Sequence, residues 1–135
     1  MSSSRAPDGH DGTSTPRQEP PGRRNRYTYA SAFPGRPVRR HALVKYDGVT
    51  GAVAIREFPE DQMPEEPWFV PAGAGGAEDD GWLFSFVGDL GRMRGALFIL
   101  DASDIAKAPV AVIEIPGWIP AGVHGSWVDD RVLGL

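Results

Sequence analysis

From Tyr27 onward, apolar and polar positions alternate in short runs broken by Gly, Pro and Asp. That is the signature of half-buried strands, not of helices with a period of 3.6. Tyr27-Thr28-Tyr29 predicts a short strand, closed by the turn Phe33-Pro34-Gly35. Ala42–Tyr46 and Ala52–Arg56 flank Asp47-Gly48-Val49-Thr50-Gly51, two apolar runs around a short Asp/Gly loop, which predicts a hairpin. Four more strands are expected at Trp68–Val70, Trp82–Val87, Ala96–Leu100 and Val110–Ile115. Asp101–Ile105 predicts one helical turn capped by Asp101 or Ser103, and Ile119–Val128 a turn and a final strand. The class is all-β. The four strands from Trp68 to Ile115 have the size and up-and-down order of one β-propeller blade, although periodicity alone leaves a sandwich half or an open barrel equally open.

Length and composition narrow this further. With 135 residues and 41% hydrophobic, the chain supports one domain with a modest core. Residues 1–22 are mostly Ser, Pro, Gly, Asp and Arg, a lead that lacks the apolar surface to offset its ordering entropy and is expected to be flexible. Residues 23–135 form the folded part. There is no cysteine, which excludes a disulfide scaffold, a zinc ribbon and a thiol nucleophile. The longest apolar run, Ala96–Leu100, is too short to span a bilayer, and no secretory h-region precedes Tyr27. A cytoplasmic location is expected. Charge is polarised, with nine basic and three acidic residues over 1–45 and five against fifteen over 46–135. The arginines alternate with Pro and Gly instead of lining a helical face, and no recognition module accompanies them, so nucleic acid is not the expected partner.

Candidate chemistry is sparse. His10, His41 and His124 share no metal-ligand spacing. The first two are expected to face solvent. His124 lies between Gly122 and Gly125, where the backbone can turn sharply, and on spacing alone it is either a turn histidine or a ligand. Glu78-Asp79-Asp80-Gly81 lacks the alternating ligands of a calcium loop and is expected to be a solvated turn. Ser126 has no Gly-x-Ser-x-Gly elbow, and Gly73-Ala74-Gly75-Gly76 lacks the Lys-Ser/Thr of a phosphate loop.

The order of the motifs carries more than any one of them. Glu66-Pro67-Trp68-Phe69-Val70-Pro71, Glu78-Asp79-Asp80-Gly81-Trp82-Leu83, Leu100-Asp101-Ala102 and Pro120-Ala121-Gly122-Val123-His124-Gly125-Ser126-Trp127 follow one another. In that order they resemble the C-terminal end of the carotenoid oxygenase family, which includes carotenoid, apocarotenoid and lignostilbene cleavage dioxygenases. Gly22–Ala30 and Leu43–Asp47 are also similar to it, so the resemblance covers about residues 22–130.

The resemblance implies about two blades of a seven-bladed β-propeller whose axis holds one Fe(II) on four histidines from separate blades. His124 matches the last of these ligands, and Glu66 matches a glutamate that hydrogen-bonds a ligand imidazole. Neutral imidazoles hold Fe(II) without cancelling its charge, and a carboxylate on the far ring nitrogen fixes tautomer and aim. The implied reaction is oxidative cleavage of a carbon–carbon double bond in a carotenoid, apocarotenoid or stilbene-type substrate by dioxygen. Two departures stand out. The other three ligands belong to earlier blades that this sequence does not contain. Where the family has Glu-x-Pro-Arg, this chain reads Ser14-Thr15-Pro16-Arg17, without the glutamate. The resemblance therefore implies the tail of a longer enzyme, with the earlier blades as its partner, inactive when alone. The rival reading is a non-catalytic β-rich remnant or interaction module without iron.

Overall fold

A computed structural model describes residues 25–35, 38–120, 122 and 127–134. The expected flexible lead 1–22 lies outside them. Two antiparallel sheets account for the fold. The first runs β1 (Tyr27–Ala32), β2 (Ala42–Asp47) and β3 (Val53–Glu57), in that order across the sheet. Its hairpin is set by Asp47, whose Oδ1 accepts from the N–H of Val49 at 2.9 Å and of Thr50 at 3.3 Å. Such a side-chain turn is what Asp supplies between two strands. Arg26 then clamps the same carboxylate with Nε and Nη2, at 3.1 and 2.9 Å, which ties the start of β1 to the end of β2.

The second sheet contains β5 (Trp68–Pro71), β6 (Gly81–Asp89), β7 (Arg94–Asp101) and β8 (Ala111–Ile115), the four-stranded meander expected from the sequence. A fifth strand, β4 (Gln62–Pro64), was not expected. It shares one edge of β6 with β5, pairing at Gln62↔Asp89 through Pro64↔Val87 while β5 pairs at Trp68↔Phe84 through Pro71↔Gly81.

One core joins the sheets. Leu83 and Val87 point inward from alternate positions of β6, Leu100 sits opposite Leu83 on β7, and Leu43 and Phe58 meet them from the other sheet. A fully buried leucine contributes roughly 1.5–3 kcal/mol, so this cluster is the main cohesive element. The segment after β7 closes it with Ala102 and Ile105. That segment is not the expected helical turn. Asp101 Oδ1 accepts from Ser103 N–H at 2.9 Å and Asp104 Oδ1 from Ala106 N–H at 3.2 Å, giving two successive side-chain turns. Its carbonyls face Arg56, which donates to the oxygens of Ile105 and Lys107 at 3.2 and 2.6 Å.

The turn and strand expected over 119–128 lie partly outside the described residues; those described there, 119, 120, 122, 127 and 128, are not in a strand. Beyond them Asp129 caps a four-residue helix, α1 (Asp130–Leu133). Phe84, Phe86 and Phe98 are half-buried; Phe98 packs edge-on against Phe58 at 5.4 Å between ring centres. The exposed apolar residues of this sheet include Trp82 on β6 and Val112 and Ile113 on β8.

Candidate functional site

Neighbouring side chains of a regular strand point to opposite faces, so two consecutive residues cannot ordinarily serve one site. The edge formed by β4 and β5 is not regular. Between the pairs Pro64↔Val87 and Trp68↔Phe84, the three residues Glu65, Glu66 and Pro67 face only Ser85 and Phe86. One extra residue on one strand is the count of a β-bulge, a device that re-aims side chains beside functional sites. Pro67 suits the position because it has no N–H to leave unpaired.

The bulge is held from within. Glu65 N–H donates to the carbonyl of Phe86 at 2.8 Å, and its own carbonyl accepts from Ser85 Oγ at 2.8 Å. Ser85 is fully buried, between Leu83 and Val87 on the inward face of β6. A side-chain hydroxyl therefore satisfies a carbonyl that the bulge draws out of the ladder. Both Glu65 and Glu66 consequently line one open-sided cavity of about 440 Å³, with Ala30, Phe33, Met63 and Pro64 as apolar wall and Gly122 beside them.

The C-terminal tail reaches this bulge. Gly122 N–H donates to Glu65 Oε1 at 2.7 Å. A Cβ at this position would stand 2.8 Å from Glu65 Oε2, so the tail backbone runs close over the carboxylate. Three residues earlier, the Ile119 side chain lies in the space that a side chain on Gly95 would need. Five residues later, the Trp127 ring packs against Phe84 at 6.3 Å, within an aromatic group that includes Trp68 and Phe86. His124 and Ser126, between these anchors, lie outside the described residues, as does His10.

A second polar cluster joins the sheets on the other side of the bulged edge. Lys45, 7% exposed, follows Leu43 on the inward face of β2. Its Nζ donates to Asp79 Oδ2 at 2.6 Å and to the carbonyl of Ser103 at 3.2 Å, and lies 4.2 Å from the centre of the Tyr27 ring. Tyr29 stacks on Phe69 at 6.0 Å and donates its hydroxyl to the carbonyl of Ala102 at 3.2 Å. Burial, with the nearby Asp79 charge, holds the Tyr29 phenol well above its usual range. The acidic run is the expected turn, with Glu78 and Asp80 exposed, but it does more than face solvent. Asp79, half-buried, neutralises a buried ammonium, and Glu78 accepts from Tyr27 N–H at 3.3 Å.

His41 faces neither a metal site nor open solvent alone. Its ring meets Phe33 edge-on at 5.6 Å, and its carbonyl accepts from Phe58 N–H at 2.9 Å. Among the described residues, no group of three or more His, Cys, Asp or Glu is arranged to hold a metal ion. Among them too, no helix is long and apolar enough to cross a membrane. Two residues that shape the site escaped the sequence reading: Glu65 and Ser85. The signal for Ser85 was present, as a polar residue at an inward position of an otherwise apolar alternation.

Comparisons with known proteins place this geometry. The chain matches the family described as retinal pigment epithelial membrane protein over residues 12–129. It is 40% identical over 86 residues to apocarotenoid-15,15'-oxygenase of Synechocystis, a match covering 64% of this chain and 18% of that protein. Against resveratrol cleavage oxygenase 1 of Chaetomium globosum it is 45% identical over 67 residues, covering 50% of this chain and 11% of that one. Among solved structures, a cobalt-substituted Synechocystis apocarotenoid oxygenase superposes with a TM-score of 0.72 at 36% identity, over 79% of this chain and 23% of that chain. The chain thus spans less than a quarter of the length of these relatives. On the matched span and the shared fold, the chain belongs to the retinal pigment epithelial membrane protein family, that of the carotenoid and apocarotenoid cleavage oxygenases.

Proposed function

We propose that this chain supplies the C-terminal part of a non-haem Fe(II) dioxygenase that cleaves a carbon–carbon double bond in a carotenoid, apocarotenoid or stilbene-type substrate. In this reading His124 is one iron ligand, Glu66 orients an imidazole at the metal, and the remaining ligands come from the earlier blades of a seven-bladed propeller. The protein is taken as cytoplasmic.

The observation that carries the reading is the seating of Gly122 on the bulge. Two residues of chain reach at most about 7 Å, so the seating of Gly122 on Glu65 supports reading His124 and Glu66 as parts of one site. A bulge that puts two carboxylates on one cavity supplies acceptors where an imidazole N–H needs one. The described residues do not by themselves make a metal site; in this reading His124 and the ligands of the other blades complete it. Bound Fe(II) would supply the positions at which dioxygen is activated. This chain's own share is different: it places one neutral imidazole, fixes a ring orientation through Glu66, and offers apolar wall at Ala30, Phe33 and Met63 beside the carboxylates.

The test combines the chain with the missing blades, either in one polypeptide or as co-expressed parts. His124→Ala should abolish iron retention and turnover. Glu66→Gln should retain iron but lower metal affinity or rate on the order of 10–100-fold. Wild-type iron content in the His124→Ala protein would refute the ligand assignment. An assembly that takes up no iron at all would favour the rival reading of a non-catalytic β-rich module.

A further inference from the structure

We propose that Glu65 is a positioning residue: its carboxylate holds the backbone of Gly122 and so sets the path of the tail segment past Glu66. The proposal rests on the reading above for its consequence, the placing of His124, but its geometry stands independently. Glu65 is committed at three points. Its N–H and carbonyl are fixed by Phe86 and Ser85, and its Oε1 accepts from Gly122 N–H at 2.7 Å. A carboxylate whose own backbone is pinned on both sides is a rigid hook, because little freedom is left to lose when it engages the tail.

The partner is matched to it. At Gly122 the tail backbone passes close over the carboxylate, and a Cβ there would stand 2.8 Å from Glu65 Oε2. The neighbouring anchors act along the chain: Ile119 over Gly95 fixes the approach, and Trp127 against Phe84 fixes the exit. Of the three contacts, the bond to Glu65 is the directional one. Packing limits where the tail lies; a charge-assisted hydrogen bond also limits how its backbone is turned. Glu65 takes the main chain of the tail, and Glu66 lines the same cavity.

Hydrogen exchange of the full 135-residue chain, read by mass spectrometry on peptides covering 119–128, tests this without iron or turnover. Glu65→Ala should accelerate exchange at the Gly122 amide roughly tenfold or more, the size of one lost charge-assisted bond. Glu65→Gln keeps a side-chain carbonyl and should restore most of the protection, which a merely bulky filler such as Glu65→Leu should not. Glu66→Gln should leave this amide unchanged. Should Glu65→Ala loosen the whole sheet, the pair Glu65→Gln and Glu65→Leu decides instead, because both keep bulk at the bulge and only Gln keeps an acceptor for Gly122 N–H. Unchanged exchange at residue 122 in Glu65→Ala, or equal exchange there in Glu65→Gln and Glu65→Leu, would overturn the proposal. Failure of the two readings is separable: loss of iron in His124→Ala with no effect of Glu65 on the tail sinks only the hook. A Glu65-dependent tail with iron indifferent to His124 sinks only the ligand assignment.

Discussion

The two outer edges of the five-stranded sheet rest on the same pair of central strands, β6 and β7, and differ in almost everything else. On one side, β4 and β5 together cover β6, are interrupted by a bulge, and bury Pro64, Pro67 and Val70 beneath the first sheet. On the other, β8 runs unbroken along β7 and leaves Val112 at 46% and Ile113 at 51% exposed. The irregular edge collects carboxylates, a cavity and the tail; the regular edge presents apolar side chains and a ladder unpaired among the described residues. Regularity here goes with a surface built for packing. The departure from it goes with a surface that positions chemical groups, because only a break in the alternation brings Glu65 and Glu66 to one cavity.

The strongest way to test the contrast is to open the seam on one side only. Lys45 and Asp79 are paired with side chains 9% and 16% exposed, so removing the ammonium leaves a carboxylate largely shielded from water. Breaking such a pair from one side is strongly destabilising. Lys45→Ala is expected to cost about 3 kcal/mol in urea denaturation. Hydrogen exchange should rise first in β1 and in β4–β5, with β8 protected until global unfolding. Equal loosening of both edges would show that the seam does not serve the bulged edge in particular.

A smaller effect is expected at the opposite edge. β8 has the features that let one chain template another: an open ladder and exposed Val112 and Ile113. Association of the chain in solution should therefore run through it. Ile113→Lys should lower the weight-average mass by light scattering while changing stability by no more than about 0.5 kcal/mol. The same substitution leaving association untouched would move the sticky surface elsewhere, to the exposed Val53 and Ile55 of β3.

Much of this contrast can be read before any coordinates, and the remainder has physical reasons for being hidden. The meander was legible because β6, β7 and β8 are long, apolar and separated by turn residues. The β2–β3 hairpin was legible because Asp47 and Gly51 mark its loop. Strand β4 was not, since three residues containing a proline carry no period. Lys45 was not seen as buried, although it sits two positions after Leu43 on the same face; its partner Asp79 lies 34 residues away and only the fold brings them together. At the site, Glu66 was suggested by the order of motifs, whereas Glu65 was not. Its role comes from a bulge, and a bulge is a mismatch between two strands that neither strand shows alone.

The finest test asks whether the charge that orders the start of β1 matters at the bulged edge. Arg26 holds the Asp47 carboxyl well below the usual carboxylate range, helped by the N–H groups of Val49 and Thr50. A carboxylate depressed on folding stabilises above its unfolded value of about 3.9, and that contribution fades as pH falls toward the folded value. Comparing wild type with Asp47→Asn, which keeps one oxygen acceptor for the loop, isolates the charge. The difference in Tm should hold steady from about pH 8 to about pH 5 and narrow continuously below about pH 4. The magnitude should be small, because the Arg26 side chain is 43% exposed and water and salt screen the pair. Added salt should narrow the gap further at neutral pH. If the first sheet guards only the bulged edge, amide exchange in acid should quicken in β1 and β4–β5 while β8 stays as it was. A Tm difference that widens on acidification would contradict the sign of the Arg26–Asp47 interaction and remove this pair from the account.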